Sequence, residues 1–175
     1  MPDISAPGGA IDRIETRSGL RLDVRSAEPA DKEALRRFFQ AVSPEDRRFR
    51  FLSAVREVRD EQLVWMTTVD HVRTDDFLAL DDAGQIVAAA MLAAEPGLAR
   101  AEVAISVRAD RRGQGIGWSL LDYVARKAQA RGIKRLESVE SRENHAAIEL
   151  QREMGFSCRT HPDDATLMIV SRDLA

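Results

Sequence analysis

The residues with the clearest chemical potential lie in "VRADRRGQGIGWSLLDYVARKAQARG", residues 107–132. There Gly113, Gly115 and Gly117 alternate behind two arginines and ahead of a helical pattern. Without a Cβ, glycines let successive N–H groups converge, and the first turn of the following helix adds donors carrying about half a positive charge. Together they make an anion site of the kind that holds a phosphate or pyrophosphate. A nucleoside-triphosphate P-loop is excluded, because Gly117 is followed by Trp118 and Ser119 with no lysine. A dinucleotide fingerprint is excluded as well, since it needs glycine where Trp118 stands and opens on the first strand of its domain.

Just before the loop, "RAEVAISV" alternates in the manner of a strand. Val103, Ile105 and Val107 share one face, and Glu102, Ala104 and Ser106 share the other. A carboxylate there is either a general base beside the anion site or an ordinary exposed strand residue, and the spacing alone leaves both open.

The elements that must position these residues follow from periodicity. Leu20, Leu22 and Val24 mark a half-buried strand, and Pro29 and Asp31 open a helix with Leu35, Phe38, Phe39 and Val42 on one face. Ser43 caps a second helix with Pro44 at its first position and Phe49 and Leu52 turned inward. A third repeats the pattern through Leu63, Trp65, Met66 and Val69. After Asp70 the period becomes extended: a hairpin around Asp81–Gly84, then a further strand after Pro96-Gly97. The glycine loop follows, then a helix from about Gly117 to Ala130, a short strand at "RLESVE", a helix ended by Gly155, and two closing strands. Strand, loop, helix and strand form a right-handed parallel crossover. The fold class is α+β (mixed α/β), with one central sheet.

Composition bounds the function. One domain fits 175 residues, and a net charge of −3 with interspersed signs argues against nucleic acid as a partner. The N-terminus lacks the basic start and apolar core of a signal peptide, and no apolar run reaches membrane-spanning length, so a cytoplasmic protein without a membrane partner is expected. Cys158 is the single cysteine, which excludes an internal disulfide and a cysteine metal cluster, and it is read as a buried core residue. Residues 1 to about 10 read as a loose tail, and 1–18 as a flexible or partly extended segment ahead of a domain spanning 19–175.

Arg112, Gly115 and Gly117 spell R-x-x-G-x-G. "ENHAAIELQREMGF" adds N-x-x-A-x-x-L and G-F through Asn144, Ala147, Leu150, Gly155 and Phe156. On these motifs the chain resembles the GNAT family of acetyl-CoA-dependent N-acetyltransferases. The resemblance implies a GNAT-like, mostly antiparallel sheet with a parallel splay between its fourth and fifth strands, flanked by helices. It implies acetyl-CoA as co-substrate and no metal. Ile105, Ser106 and Val107 would lie along the pantetheine arm. Arg112, Gly113, Gln114, Gly115, Ile116, Gly117 and Trp118 would hold the pyrophosphate, and Asn144 would stand near the pantetheine or thioester end while also suiting a helix N-cap.

Over residues 20–173, "SPEDRRFRFL", "LVWMTTVDHVR", "AEVAISV" and "HPDDATLMIV" resemble the catalytic domain of bacterial Pat-type protein lysine acetyltransferases. That implies transfer to a lysine ε-amine of a protein such as an acyl-CoA synthetase, with Glu102 as general base, directly or through a water. Transfer requires an amine with a pKa of about 10.4 to lose a proton, so loss of the base would cost about 10² to 10⁴ in rate. Two other acceptor or function classes stand beside this one. One is a small-molecule amine acetyltransferase, for a polyamine, amino acid or drug; an acidic groove formed by Asp70, Asp75 and Asp76 would favour a polyamine, and a broad flat face a protein. Gln151, where many family members carry a tyrosine acid, would suit a non-catalytic acyl-CoA-binding regulator. Tyr123 is read as packing; Trp65, Trp118, Met66 and Met154 as core or cofactor-edge packing; and His71, His145 and His161 as surface residues.

Overall fold

The computed structural model describes residues 10–174. Most of the residues read as a loose tail lie outside this range. The chain forms one mixed sheet of eight strands: β1 (Asp12–Glu15), β2 (Arg21–Ser26), β3 (Thr74–Leu80), β4 (Ile86–Ala94), β5 (Ala101–Val107), β6 (Arg135–Ser141), β7 (Ser157–Thr160) and β8 (Leu167–Asp173). Its order is β1-β2-β3-β4-β5-β6-β8-β7, and every pair is antiparallel except β5 with β6. Strand β1 lies inside the segment read as flexible or partly extended. It pairs with β2 because Ile14 alternates inward, and it shifts the strands bearing Glu102 and "RLESVE" to fifth and sixth place.

Five helices cover the sheet: α1 (Lys32–Gln40), α2 (Pro44–Phe51), α3 (Asp60–Thr67), α4 (Ile116–Ala130) and α5 (His145–Glu153). A cluster built on Leu35, Phe38, Phe39, Leu63 and Met66 packs α1 and α3 against Leu78, Ala89 and Met91. The opposite face of the sheet packs Phe77, Ala79, Ala90 and Val103 against Leu120, Leu121, Val124 and Ala128 of α4. The helix α4 begins one residue before the expected Gly117. Its docked face is long enough to bury eight side chains, and Gly132 with φ +84° ends it.

Ser43 caps α2 as expected, accepting from the Asp46 N–H at 3.1 Å. Leu52, expected inside, is instead 41% exposed, because it ends the helix in the left-handed region at φ 53° and the backbone turns it outward. Trp65 is 77% exposed rather than core: Leu63 and Met66 take the buried positions of the short helix α3, and Trp65 falls between them on the solvent side. Cys158 is only partly buried, being on the outermost strand β7.

Candidate active site

The parallel ladder between β5 and β6 holds just two residue pairs, Ala101 with Leu136 and Glu102 with Glu137. The antiparallel ladder on the other side of β5 continues to Val107. Beyond Glu102, therefore, β5 and β6 diverge while β5 stays fixed to β4. A cavity of about 340 Å³ opens in the gap. Its walls are Val103 to Val107 of β5, Ser138 to Glu140 of β6, the glycine loop, Asn144 to Gln151 on one side of α5, and Phe49 and Arg50 of α2.

The loop has the conformation that its glycines permit. Gly113 and Gly115 adopt φ +76° and +78°, which side chains rarely tolerate. Among the described residues, the backbone N–H groups of residues 113–118 find no acceptor in the protein. Six unsatisfied donors at a helix N-terminus require an anion or water. Two further polar atoms on the cavity residues, Ser106 Oγ and Trp118 Nε1, are buried without a partner. The chain thus offers donors at one end and, along β5, a strand flank no longer paired with β6. That arrangement fits a phosphate-bearing molecule with an extended amide arm, and acetyl-CoA is such a molecule.

Of the residues expected to bind it, Ile105, Ser106, Val107, Arg112, Gly113, Gly115, Ile116, Gly117, Trp118 and Asn144 all line this one cavity. Gln114 does not line it; its carbonyl accepts from Ser18 Oγ at 2.8 Å. Arg112 is exposed, 3.5 Å from Asp46. Asn144 combines two roles. Its Oδ1 caps α5 by accepting from the Ala147 N–H at 3.4 Å, and its Nδ2 donates to Glu140 at 3.2 Å. Glu102 is exposed at the start of the divergence, outside the cavity walls, on the strand against which α2 packs.

Sequence reasoning missed Arg50 and Glu140. Desolvation lowers the Arg50 pKa from its ordinary value, against the pull of Asp76, Glu102 and Glu140. The signal was present in α2: Asp46, Phe49 and Arg50 stand at i, i+3 and i+4, the spacing of one helix face. Burial pushes the Glu140 carboxyl up, against hydrogen bonds from Gln151 Nε2 at 3.0 Å and from Asn144. Gln151 Oε1 in turn accepts from Ser138 Oγ at 2.6 Å. Gln151 is therefore locked into a polar network in which its amide has no acidic proton to give.

The acidic groove that would favour a polyamine does not form. Asp75 and Asp76 are 0% and 2% exposed and, as strand neighbours, point to opposite sides of β3. Asp70 spends one oxygen on the N–H groups of Val72, Arg73 and Thr74. Tyr123 is packed as expected, with its hydroxyl donating to Asp12 at 2.7 Å. Among the described residues, no group of three His, Cys, Asp or Glu side chains could hold a metal.

The model of the acetyltransferase (GNAT) family matches residues 33–156, from α1 through the glycine loop to the end of the second motif. The chain belongs to the GNAT family. It is accordingly an acyltransferase that transfers an acetyl group to an amine, and the regulator reading drawn from Gln151 is set aside. The chain is 29% identical to "Acetyltransferase PA5475" of Pseudomonas aeruginosa over 154 residues, 86% of this chain and 83% of that protein. The GNAT domain of S. lividans PAT superposes with a TM-score of 0.87 at 23% identity, covering 94% of this chain and 97% of that one. A GNAT phosphinothricin acetyltransferase from Sinorhizobium meliloti, solved in complex with AcCoA, superposes at 0.68 with 18% identity over 88% and 89% of the two chains.

Proposed function

We propose that this GNAT enzyme acetylates a lysine ε-amine of a protein, with an acyl-CoA synthetase as the substrate class and Glu102 as general base. The observation that carries the base assignment is the position of Glu102 as the last residue of β5 paired with β6, where the cavity begins. The face of β5 that bears Glu102 is the one packed by α2, so an amine reaching the cavity from that side passes the carboxylate before it meets Ser106. Arg50 stands within electrostatic reach of Glu102 and Glu140.

When bound, acetyl-CoA supplies the activated acetyl group. The N–H groups of residues 113–118 would hold its pyrophosphate, and Ile105, Ser106 and Val107 would run beside its pantetheine arm. Glu102 accepts the proton that the ammonium form of the acceptor must lose, directly or through one water. The dispersal of Asp70, Asp75 and Asp76 removes the feature that favoured a polyamine. A lysine on a protein surface needs no such groove, because the protein around it supplies the remaining contacts.

A cytoplasmic location accords with this substrate class, and among the described residues no helix is long and apolar enough to cross a membrane. The test is intact-mass spectrometry of an AMP-forming acyl-CoA synthetase incubated with the enzyme and acetyl-CoA, with Glu102→Gln alongside. A gain of one acetyl group that is absent with the variant supports substrate and base together. No gain, in a preparation that binds CoA, transfers the assignment to a small amine.

A further inference from the structure

The glycine loop is not supported by its own helix alone. The turn between β1 and β2 is seated on it: Ser18 Oγ donates to the Gln114 carbonyl at 2.8 Å, across 96 residues of chain. A Cβ on Gly115 would lie 3.7 Å from Thr16 Cβ and 3.8 Å from the Arg17 backbone nitrogen. This contact brings Arg17 over Trp118, its guanidinium carbon 3.9 Å from the ring centroid. Trp118 is the third residue of α4 and a wall of the cavity.

The other arginines around the loop each have an acidic partner. Arg108 is paired with Asp110 at 2.6 Å, Arg111 with Asp81 at 2.8 Å, and Arg112 with Asp46 at 3.5 Å. Arg17 is exposed and, among the described residues, makes no ion pair and no hydrogen bond; the indole face is its one charge contact. Stacking fixes the plane of a guanidinium while leaving its edge N–H donors outward, which is the geometry for bidentate recognition of phosphate. The loop beside it displays backbone donors that also lack acceptors.

We infer that Arg17 is a phosphate ligand, which the N-terminal hairpin presents to close the nucleotide end of the acetyl-CoA site. The inference rests on the reading of the glycine loop as the CoA pyrophosphate site. It adds a residue from the opposite end of the chain to that site. Two phosphates of CoA share this chemistry, the pyrophosphate on the loop and the 3′-phosphate of the ribose.

Calorimetric titration of the full chain with CoA, 3′-dephospho-CoA and pantetheine separates the cases, using wild type, Arg17→Ala and Arg17→Lys at low salt. Arg17→Ala should weaken CoA binding about tenfold, with Arg17→Lys recovering part of the loss, as for a charge-assisted contact. A penalty that vanishes with 3′-dephospho-CoA assigns the contact to the 3′-phosphate. One that persists there but vanishes with pantetheine assigns it to the pyrophosphate. Equal CoA affinity in wild type and Arg17→Ala, or an equal penalty with pantetheine, overturns the role of Arg17. A wild type that binds no CoA overturns the site itself, and the role of Arg17 with it.

Discussion

Asp75 and Asp76 are neighbours on β3, both buried, yet they belong to different halves of the molecule. Asp75 faces α4 and is fully engaged: Arg131 Nη2 at 2.6 Å, His71 Nδ1 at 3.1 Å and the Asp76 N–H at 3.0 Å. Asp76 faces the side covered by α1 to α3, opposite Met91, and its Oδ1 has no partner. Burial raises its pKa to about 7, with Arg50 working against the rise and Asp75 adding to it. On the α4 half, the Asp75 carboxylate is closed by internal pairing. On the other half Asp76, Arg50 and Glu102 make no ion pair among the described residues, and burial keeps Asp76 protonated.

Breaking each half should therefore show in a different observable. On the open half, Glu102→Gln should lower kcat by about 10² to 10⁴ with CoA affinity and melting temperature unchanged, measured by steady-state acetylation and calorimetry. On the closed half, Asp75→Ala leaves the partly buried Arg131 guanidinium without its counter-ion. It should cost about 3 to 5 kcal/mol in urea denaturation. A Glu102→Gln enzyme of normal rate, or an Asp75→Ala protein of normal stability, would dissolve the contrast.

Asp76 sharpens it through pH. The unfolded chain ionises Asp76 near 3.8, whereas the folded chain keeps it protonated up to about 7. Across that window the unfolded state has released a proton that the folded state retains. Stability contributed by this group therefore falls as pH rises from about 4 to about 7, then stays level. Asp76→Asn should remove that component of the slope, so the variant should gain on the wild type toward neutral pH, read from denaturation midpoints at several pH values. The smallest effect is expected at Trp65. Because it is 77% exposed, Trp65→Ser should change stability by no more than about 0.5 kcal/mol in the same assay.

The parts of this architecture written locally were legible in the residues. Helix caps, the Asp81–Gly84 turn and the glycine loop each depend on a few adjacent positions, and the glycine and Asn144 motifs located the cavity. The misplaced residues depended on three-dimensional context. Trp65 and Leu52 follow the apolar pattern, but Trp65 falls on the solvent side of the short helix α3, and Leu52 leaves α2 in the left-handed region and is turned away from the core. The three aspartates looked like a cluster along the chain, and strand alternation sent two of them to opposite faces. Arg50, Glu140 and Arg17 carry no motif. Their significance appears only when α2, β6 and the β1–β2 turn converge on the same loop and gap.

The two outermost strands of the sheet, β1 and β7, are each four residues long. The free margin of a sheet is a template on which a second chain can add hydrogen bonds, and long apolar margins invite assembly into aggregates. Here one margin reads Asp-Arg-Ile-Glu and the other Ser-Cys-Arg-Thr, short and largely polar, with Arg13 and Arg159 exposed. Short, polar margins of this kind disfavour edge-to-edge growth of the eight-stranded sheet.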